Sequence, residues 1–501
     1  PLLLVAGAGF PVAFGVVEIF GFGFFLFIAA AVIIYYVIPK KLQWIWLLII
    51  SYVYYASYDI STVWMLLLTT YVTYRGGILL DRLNEQKPQD GISREEKKDF
   101  KKNIVRKKKK IVLAMVLIAF GMLGIMKYTN FMLGNIDAVL RLFGSGKQIG
   151  VLNLTLPLGI SFYTFQSISY VVDVYRGKHK AQGNFFKHAL FVSFFPQLLQ
   201  GPIGRYERLG SQLYEGHSYN LKELQFGVQR ILWGFFKKMV LADRVNAAVL
   251  LIFHNYWNYG GWYNVLGVLL YSIQLYADFS GGIDIVIGIA QMFGITMDEN
   301  FRQPYFSKSI GEFWRRWHIT LGRWFREYVY IPLGGNRKGK ARTIFNLFVV
   351  WSLTAVWHGA EGHFLIWGAS LLLLLALEKA FLLQFLKKSK ILSHVYLVLV
   401  VPLTWMAFAI ADVGQLGVYY ARMFPFFGVG ETVRQMDFLQ YLKDYGPLFL
   451  MGIVFSTPYP TALYKVFEKK WLGSLAVIVV LGLSLYYMAV STNNPFLYFN
   501  F

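Results

Sequence analysis

Long apolar runs follow one another through most of this chain. Many approach ~20 residues, the length at which an α-helix spans a ~30 Å hydrocarbon core. An ordinary soluble domain carries about a quarter of its residues as charges; here 15% are charged and 56% are hydrophobic. The runs are continuous and do not alternate in ~10-residue segments, which argues against a transmembrane β-barrel. The expected fold class is therefore all-α: a polytopic membrane protein with about ten to twelve crossings, plus re-entrant or interfacial helices.

The expected spans include Leu2–Gly21, Ile111–Tyr128, Phe131–Leu142, Leu224–Val240, Ala247–Tyr259, Phe313–Ile331 and Thr343–Trp357. The segment from Pro1 to Phe22 lacks the basic start of a signal peptide and is not expected to act as one. Asp81–Lys110 is the one long hydrophilic stretch; it holds twelve Lys or Arg and ends in Lys107-Lys-Lys-Lys110. The positive-inside rule places it in the cytoplasm as a loop, together with Lys40-Lys41, and leaves the turn Asp59-Ile-Ser61 outside.

The 49 Lys and Arg against 27 Asp and Glu give a net charge of +22. Basic loops that hold the topology and meet anionic membrane lipids account for that excess. No basic and aromatic patch lies outside membrane-like sequence, so no nucleic-acid partner is expected. The chain has no cysteine, which excludes disulfides, thiolate metal sites and an acyl-cysteine intermediate.

Three regions break the helical pattern: Leu156-Pro-Leu-Gly-Ile-Ser161, Phe195–Tyr206 with Arg205, and Gly311–Gly335 with Arg315, Arg316, Arg323 and Arg326. Non-helical backbone at membrane depth is tolerated only where protein or water surrounds it. These segments are expected to line a cavity. No internal repeat is evident, which weighs against a transporter built from inverted repeats.

Two histidines stand in these surroundings. His358 ends the run Trp351-Ser-Leu-Thr-Ala-Val-Trp-His358, and His318 lies in Phe313-Trp-Arg-Arg-Trp-His318. An imidazole in hydrocarbon needs a polar partner or a wet cavity, and it is the side chain suited to proton transfer near neutral pH. General base plus an orienting or binding group is one reading. A helix end with Gly359 as its C-cap is the other. His363 follows Glu361-Gly362 and reads as loop. His358 and His363 have the wrong spacing for one helix face, and no His-Glu-x-x-His run exists, so no metal site is expected.

Asp278 and Asp284 sit in an otherwise apolar helix and need partners; Arg315, Arg316 and Arg205 are the expected ones. The arginines around His318 also suit phosphate, as a coenzyme would require. There is no Walker A run, no dinucleotide fingerprint and no nucleophile elbow.

Together these runs resemble the membrane-bound O-acyltransferase superfamily, in the branch that acetylates alginate, peptidoglycan and other cell-surface polysaccharides. The runs that carry the likeness are Leu156–Gly177, Phe195–Tyr206, Tyr276–Phe301, Phe313–Gly335, Val356–Ala360 and the tail Asn494–Phe501. The resemblance implies a ring of helices around a central tunnel in a bacterial inner membrane. It implies three parts: helices and a basic cytoplasmic loop over 1–110, a catalytic core over 111–368, and C-terminal helices over 369–501. His358 falls on the family's characteristic histidine and His318 on its second active-site position.

The same likeness implies acetyl-CoA as donor from the cytoplasm, with no bound cofactor. It also implies an extracytoplasmic partner of the SGNH acetyltransferase type that passes the acetyl group to the polysaccharide. His358 would be the base. Arg315, Arg316, Trp317, Arg205, Asp278 and Gln200 are the candidate donor- or substrate-binding residues. The alternatives are D-alanyl transfer to teichoic acid by a related protein, and a proton-coupled transporter of acyl or glycan precursors.

Overall fold

The computed structural model describes residues 22–91, 93–144, 149–255, 257–424, 437–467 and 471–490. The expected span Leu2–Gly21 and the family-like tail Asn494–Phe501 lie outside them. Among the described residues the regular structure is helical, with no strand. In chain order the helices are α1 (Phe22–Val37), α2 (Lys40–Asp59), α3 (Val63–Glu85), α4 (Arg94–Leu142), α5 (Ile160–Tyr175), α6 (Phe185–Ser193) and α7 (Phe195–Gln200). There follow α8 (Tyr206–Glu215), α9 (Leu221–Phe235), α10 (Asp243–His254), α11 (Trp262–Met292), α12 (Ile310–Arg316), α13 (Ile319–Phe325) and α14 (Gly339–His358). The last are α15 (Gly362–Leu377), α16 (Leu383–Leu386), α17 (Lys390–Ala409), α18 (Val413–Met423), α19 (Asp437–Phe455), α20 (Tyr459–Phe467) and α21 (Trp471–Val490). Among the described residues, five helical segments are long and apolar enough to cross a membrane: Lys40–Glu85, Arg94–Leu142, Trp262–Met292, Gly362–Leu386 and Lys390–Ala409.

The basic stretch Asp81–Lys110 is mostly not a loop. α3 continues to Glu85 and α4 begins at Arg94, so Lys107–Lys110 ride on a helix. The cause is local. Ser93 accepts from the Glu96 N–H at 3.2 Å, and the Glu96 carboxylate accepts from the Ser93 N–H at 2.8 Å. This reciprocal cap satisfies two otherwise open donors, and Lys and Arg are good helix formers. The same bonds hold the exposed Glu96 carboxyl below its usual range.

α4 then runs on without interruption, so the two expected spans Ile111–Tyr128 and Phe131–Leu142 are one helix. Thr129 satisfies its hydroxyl on the Ile125 carbonyl at 2.6 Å, so this polar residue is accommodated within the helix. At 49 residues the helix is about 74 Å long, far more than a bilayer needs. The expected spans Leu224–Val240 and Ala247–Tyr259 are likewise joined, through a wide π-type turn at 236–242 that carries α9 into α10.

α11 is the buried axis of the fold. It packs antiparallel against α9 through two glycine pairs. A Cβ on Gly234 would stand 2.5 Å from the Gly281 carbonyl oxygen, and one on Gly227 would stand 2.7 Å from that of Gly288. Small residues are what allow helix backbones to approach this closely in a membrane protein.

That approach decides where the intramembrane acids find partners, and they are not the expected arginines. Asp278 accepts from Lys238 Nζ at 2.7 Å, and Lys238 also meets Asp243 at 2.9 Å. Asp284 pairs with Lys237 at 2.5 Å and Arg230 at 2.9 Å, and Arg230 reaches Glu299 at 2.6 Å. The partners come from α9 and its wide turn because the glycine contacts press that helix onto α11.

The expected span Phe313–Ile331 does not cross as a single helix. It divides into α12 and α13 with His318 between them at φ 44, and a wide turn follows at 326–330. The other two expected breaks also appear. Gly159, at φ 66, starts α5 against the Leu198 carbonyl, and the chain leaves α7 at Gly201 and runs without helix to Arg205.

Gly281→Leu should force α9 and α11 apart. Overpacking of this kind costs typically about 1–3 kcal/mol. A thermal melt of the purified protein in detergent should show a lowered midpoint, whereas Gly121→Leu, with open space around its Cβ position, should leave it unchanged.

Candidate active site

His358 is the last residue of α14. The end of that helix is held by α4: Lys127 donates to the Trp357 carbonyl at 2.6 Å and Tyr128 to the Val356 carbonyl at 2.5 Å. A cation at a helix C-terminus also meets the negative end of its dipole. Sequence reasoning missed Lys127, although a signal was present: it is the single charged residue in the apolar stretch 111–136. Gly359 does follow the helix, but in extended backbone at φ −176 and not as a left-handed cap. Its missing Cβ leaves room for the Phe364 ring.

Aromatic rings enclose the His358 imidazole. Ring centres lie at 4.7 Å for Trp357, 5.1 Å for Trp367, 5.1 Å for Phe408 and 6.1 Å for Phe364. His318 is packed similarly, by Phe279 at 5.0 Å, Trp357 at 6.1 Å and Phe162 at 6.5 Å. Trp357 thus touches both imidazoles.

Three devices position the broken segment that carries His318. The buried Glu378 carboxylate accepts the N–H groups of Ile310 at 2.5 Å and Gly311 at 3.0 Å, which anchors the start of α12. Ser309 caps the same turn through the Glu312 N–H at 3.0 Å. The irregular segment at 300–302 then runs beside the break: Ile319 N–H donates to the Asn300 carbonyl and Arg302 N–H to that of Arg316, both at 3.0 Å. Glu378 and Asn300 were not expected from the sequence, since each acts across a long separation in the chain.

Both imidazoles line one cavity of about 610 Å³. Its inner wall holds Trp314, Trp317, Trp351, Trp367 and Trp405, together with Asp278. Its other polar lining includes Arg315, Arg326, Asn336 and Lys379, all exposed, and the half-buried Arg323. Arg323 is paired with Asp298 at 2.6 Å.

Of the expected site residues, then, His358, His318, Arg315, Trp317 and Asp278 share this wall. Arg316 turns to Glu312 at 2.5 Å. Arg205 belongs to another cluster, with Asp173 at 3.3 Å, Glu327 at 2.5 Å and Tyr328. Gln200 is buried, without a protein partner for its amide, and is not among the lining residues. His363, expected in a loop, lies in the first turn of α15, buried, 3.6 Å from Glu361. Among the described residues no group of three or more His, Cys, Asp or Glu is placed to hold a metal ion.

The arrangement can take a proton, through an imidazole in a mostly apolar chamber, and can hold an anionic group at its basic end. The model of the membrane-bound O-acyltransferase family matches residues 182–411. A Pseudomonas syringae pv. tomato protein named "Probable alginate O-acetylase AlgI" is 35% identical over 405 residues, covering 80% of this chain and 74% of that one. The "Peptidoglycan O-acetyltransferase" of Helicobacter pylori is 31% identical over 449 residues, covering 78% and 83%. The "Teichoic acid D-alanyltransferase" of Bacillus subtilis is 31% identical over 235 residues, covering 43% and 57%. The chain belongs to the membrane-bound O-acyltransferase family and is a multi-pass membrane enzyme of that acyl-transferring class.

Proposed function

We propose that this enzyme moves an acetyl group from acetyl-CoA, taken from the cytoplasm, to a hydroxyl acceptor on the outer side of a bacterial inner membrane. The acceptor is a partner protein of the SGNH type, and through it a cell-surface polysaccharide such as alginate. The observation that carries this reading is the shared cavity: two imidazoles in an aromatic chamber with a basic lining.

His358 is the general base. It takes the proton of the acceptor hydroxyl as that oxygen attacks the thioester carbonyl; the C–S bond breaks, and the leaving thiolate takes that proton from His358 and departs as coenzyme A. A placed base contributes typically about 10²–10⁴-fold. The aromatic walls limit water, which would otherwise hydrolyse the thioester. Arg315, Arg326 and Lys379 suit the coenzyme's phosphates. They lie with Asn336, which opens the basic run Asn336-Arg-Lys-Gly-Lys-Ala-Arg342, and such runs favour the cytoplasmic side. A volume of about 610 Å³ is within the range of small-molecule sites.

Acetyl transfer is favoured over D-alanyl transfer by coverage: the O-acetylating relatives align over most of both chains, the D-alanyl-transferring one over less than half of this chain.

Labelled acetyl-CoA supplied to the purified protein with its partner should give labelled partner. His358→Ala should abolish that transfer at wild-type abundance in the membrane; retained transfer would remove His358 as the base. His318→Ala should cause a severe but incomplete loss.

Arg315→Gln combined with Arg326→Gln should raise the KM for acetyl-CoA more than it lowers kcat, as steady-state rates against donor concentration will reveal. Lys127→Met leaves two carbonyls at the end of α14 with one donor fewer. Hydrogen bonds from charged groups contribute about 1.5–3 kcal/mol, so its thermal midpoint should fall, with Lys127→Arg closer to wild type.

A further inference from the structure

The break at His318 fixes that residue's hydrogen as well as its place. Asn300, fully buried, lies across from it. The Asn300 side-chain oxygen accepts from the Thr320 N–H and the Thr320 hydroxyl, both at 3.0 Å, and stands 3.3 Å from His318 Nδ1. A backbone N–H can only donate, so an oxygen must face Thr320; the reversed amide would set NH₂ against N–H. The Thr320 hydroxyl in turn accepts from the Ile203 N–H at 3.1 Å, which directs its own hydrogen to Asn300. The polarity of the chain Ile203–Thr320–Asn300 is thereby set from two backbone amides.

With an oxygen opposite it, His318 Nδ1 must carry the hydrogen. A neutral imidazole has one N–H, so Nε2 is left with a bare lone pair. That nitrogen is buried and has no partner in the protein, while the ring forms part of the cavity wall. The backbone of His318 is in the left-handed region at φ 44, and three aromatic rings flank the imidazole. The ring is thus held in place from several sides.

We infer that Asn300 is a positioning residue that locks His318 in the Nδ1–H tautomer, so that Nε2 meets the substrate as a hydrogen-bond acceptor. Neutral His318 then has no hydrogen to offer a developing oxyanion. It receives one, from an O–H or N–H of the bound substrate. Two sources fit that chemistry: an amide N–H in the pantetheine arm of the thioester, or a hydroxyl of the acceptor. This step rests on the acetyl-transfer reading only for the identity of the substrate; the tautomer rests on the hydrogen-bond chain alone.

The test is ¹⁵N NMR of the full-length protein in detergent, labelled at histidine, with His318→Ala to assign the signals. The expected result at neutral pH is a protonated Nδ1 and an unprotonated Nε2 for His318. In Asn300→Leu the proton should shift towards Nε2, and acyl transfer should fall about 10²-fold, the scale of a misplaced reacting group. A fall expressed as a raised KM for the thioester assigns the contact to the donor amide; a fall in kcat at saturating donor assigns it to the acceptor hydroxyl. A proton on Nε2 in the wild-type protein overturns the inference, whether or not the variant folds. So does an Asn300→Leu protein that keeps both the tautomer and the rate. Absence of acetyl transfer by wild-type protein that has the expected tautomer would instead sink the acetyl-CoA reading and leave this one standing.

Discussion

Backbone that leaves the helix at membrane depth must find its hydrogen-bond partners inside the protein. The site depends on how that demand is met. The chain at 203, at 300 and around His318 converges, and open donors meet acceptors there: the Ile203 N–H is taken by Thr320, the Thr320 N–H by Asn300, and the Ile319 N–H by the Asn300 carbonyl. Glu378 does the same for the first two amides of α12. Each unmet group would cost about 1–3 kcal/mol or more. Of the three breaks, 311–335 lines the cavity while 156–161 and 195–206 do not, and the break at His318 persists because its neighbours satisfy its backbone.

The second constraint is charge. Lys237, Lys238 and Asp278 are nearly inaccessible, and an isolated buried charge is too costly to keep. The glycine contacts between α9 and α11 bring cations and acids within about hydrogen-bond reach, so the charges neutralise in place. Asp278 is thereby tied to the framework although it borders the cavity. Arg315 and Arg326 remain exposed at the same cavity, which separates cations that hold the fold from cations available to an anionic ligand.

Much of this was legible in the sequence, and the limits have physical causes. Run length and low charge were sufficient for the helical membrane class. The Pro and Gly clusters at 156–161 and 195–206 located two breaks because such residues oppose continuous helix, and the arginines of 311–335 marked the third because charge is costly in a spanning helix. What failed was pairing at a distance. Nothing local in Asp278 says that its cation lies at 238 and not at 315; that depends on glycines at 227, 234, 281 and 288 meeting across two helices. Asn300 and Glu378 were invisible for the same reason, since their partners are 20 and 67 or 68 residues away. Hydrophilic composition alone makes the basic segment look like loop, whereas a Ser–Glu cap starts a helix there.

The buried tryptophans differ in what meets their indole N–H, even within the cavity wall, where Trp405 is paired and Trp314 and Trp367 are not. Trp324 donates its indole N–H to the Phe165 carbonyl at 2.9 Å, and Trp405 donates to the Tyr305 hydroxyl at 3.0 Å, as buried indoles usually do. Trp314 and Trp367 line the cavity, and their indole nitrogens have no partner in the protein. The same is true of His318 Nε2 on the acceptor side. Each open group lowers stability until a polar partner meets it. Local rules are broken in this way where a site awaits a polar guest whose binding recovers the loss. The aromatic lining thus does two things at once: its faces keep the chamber apolar, and its open polar atoms give a substrate fixed points to bind.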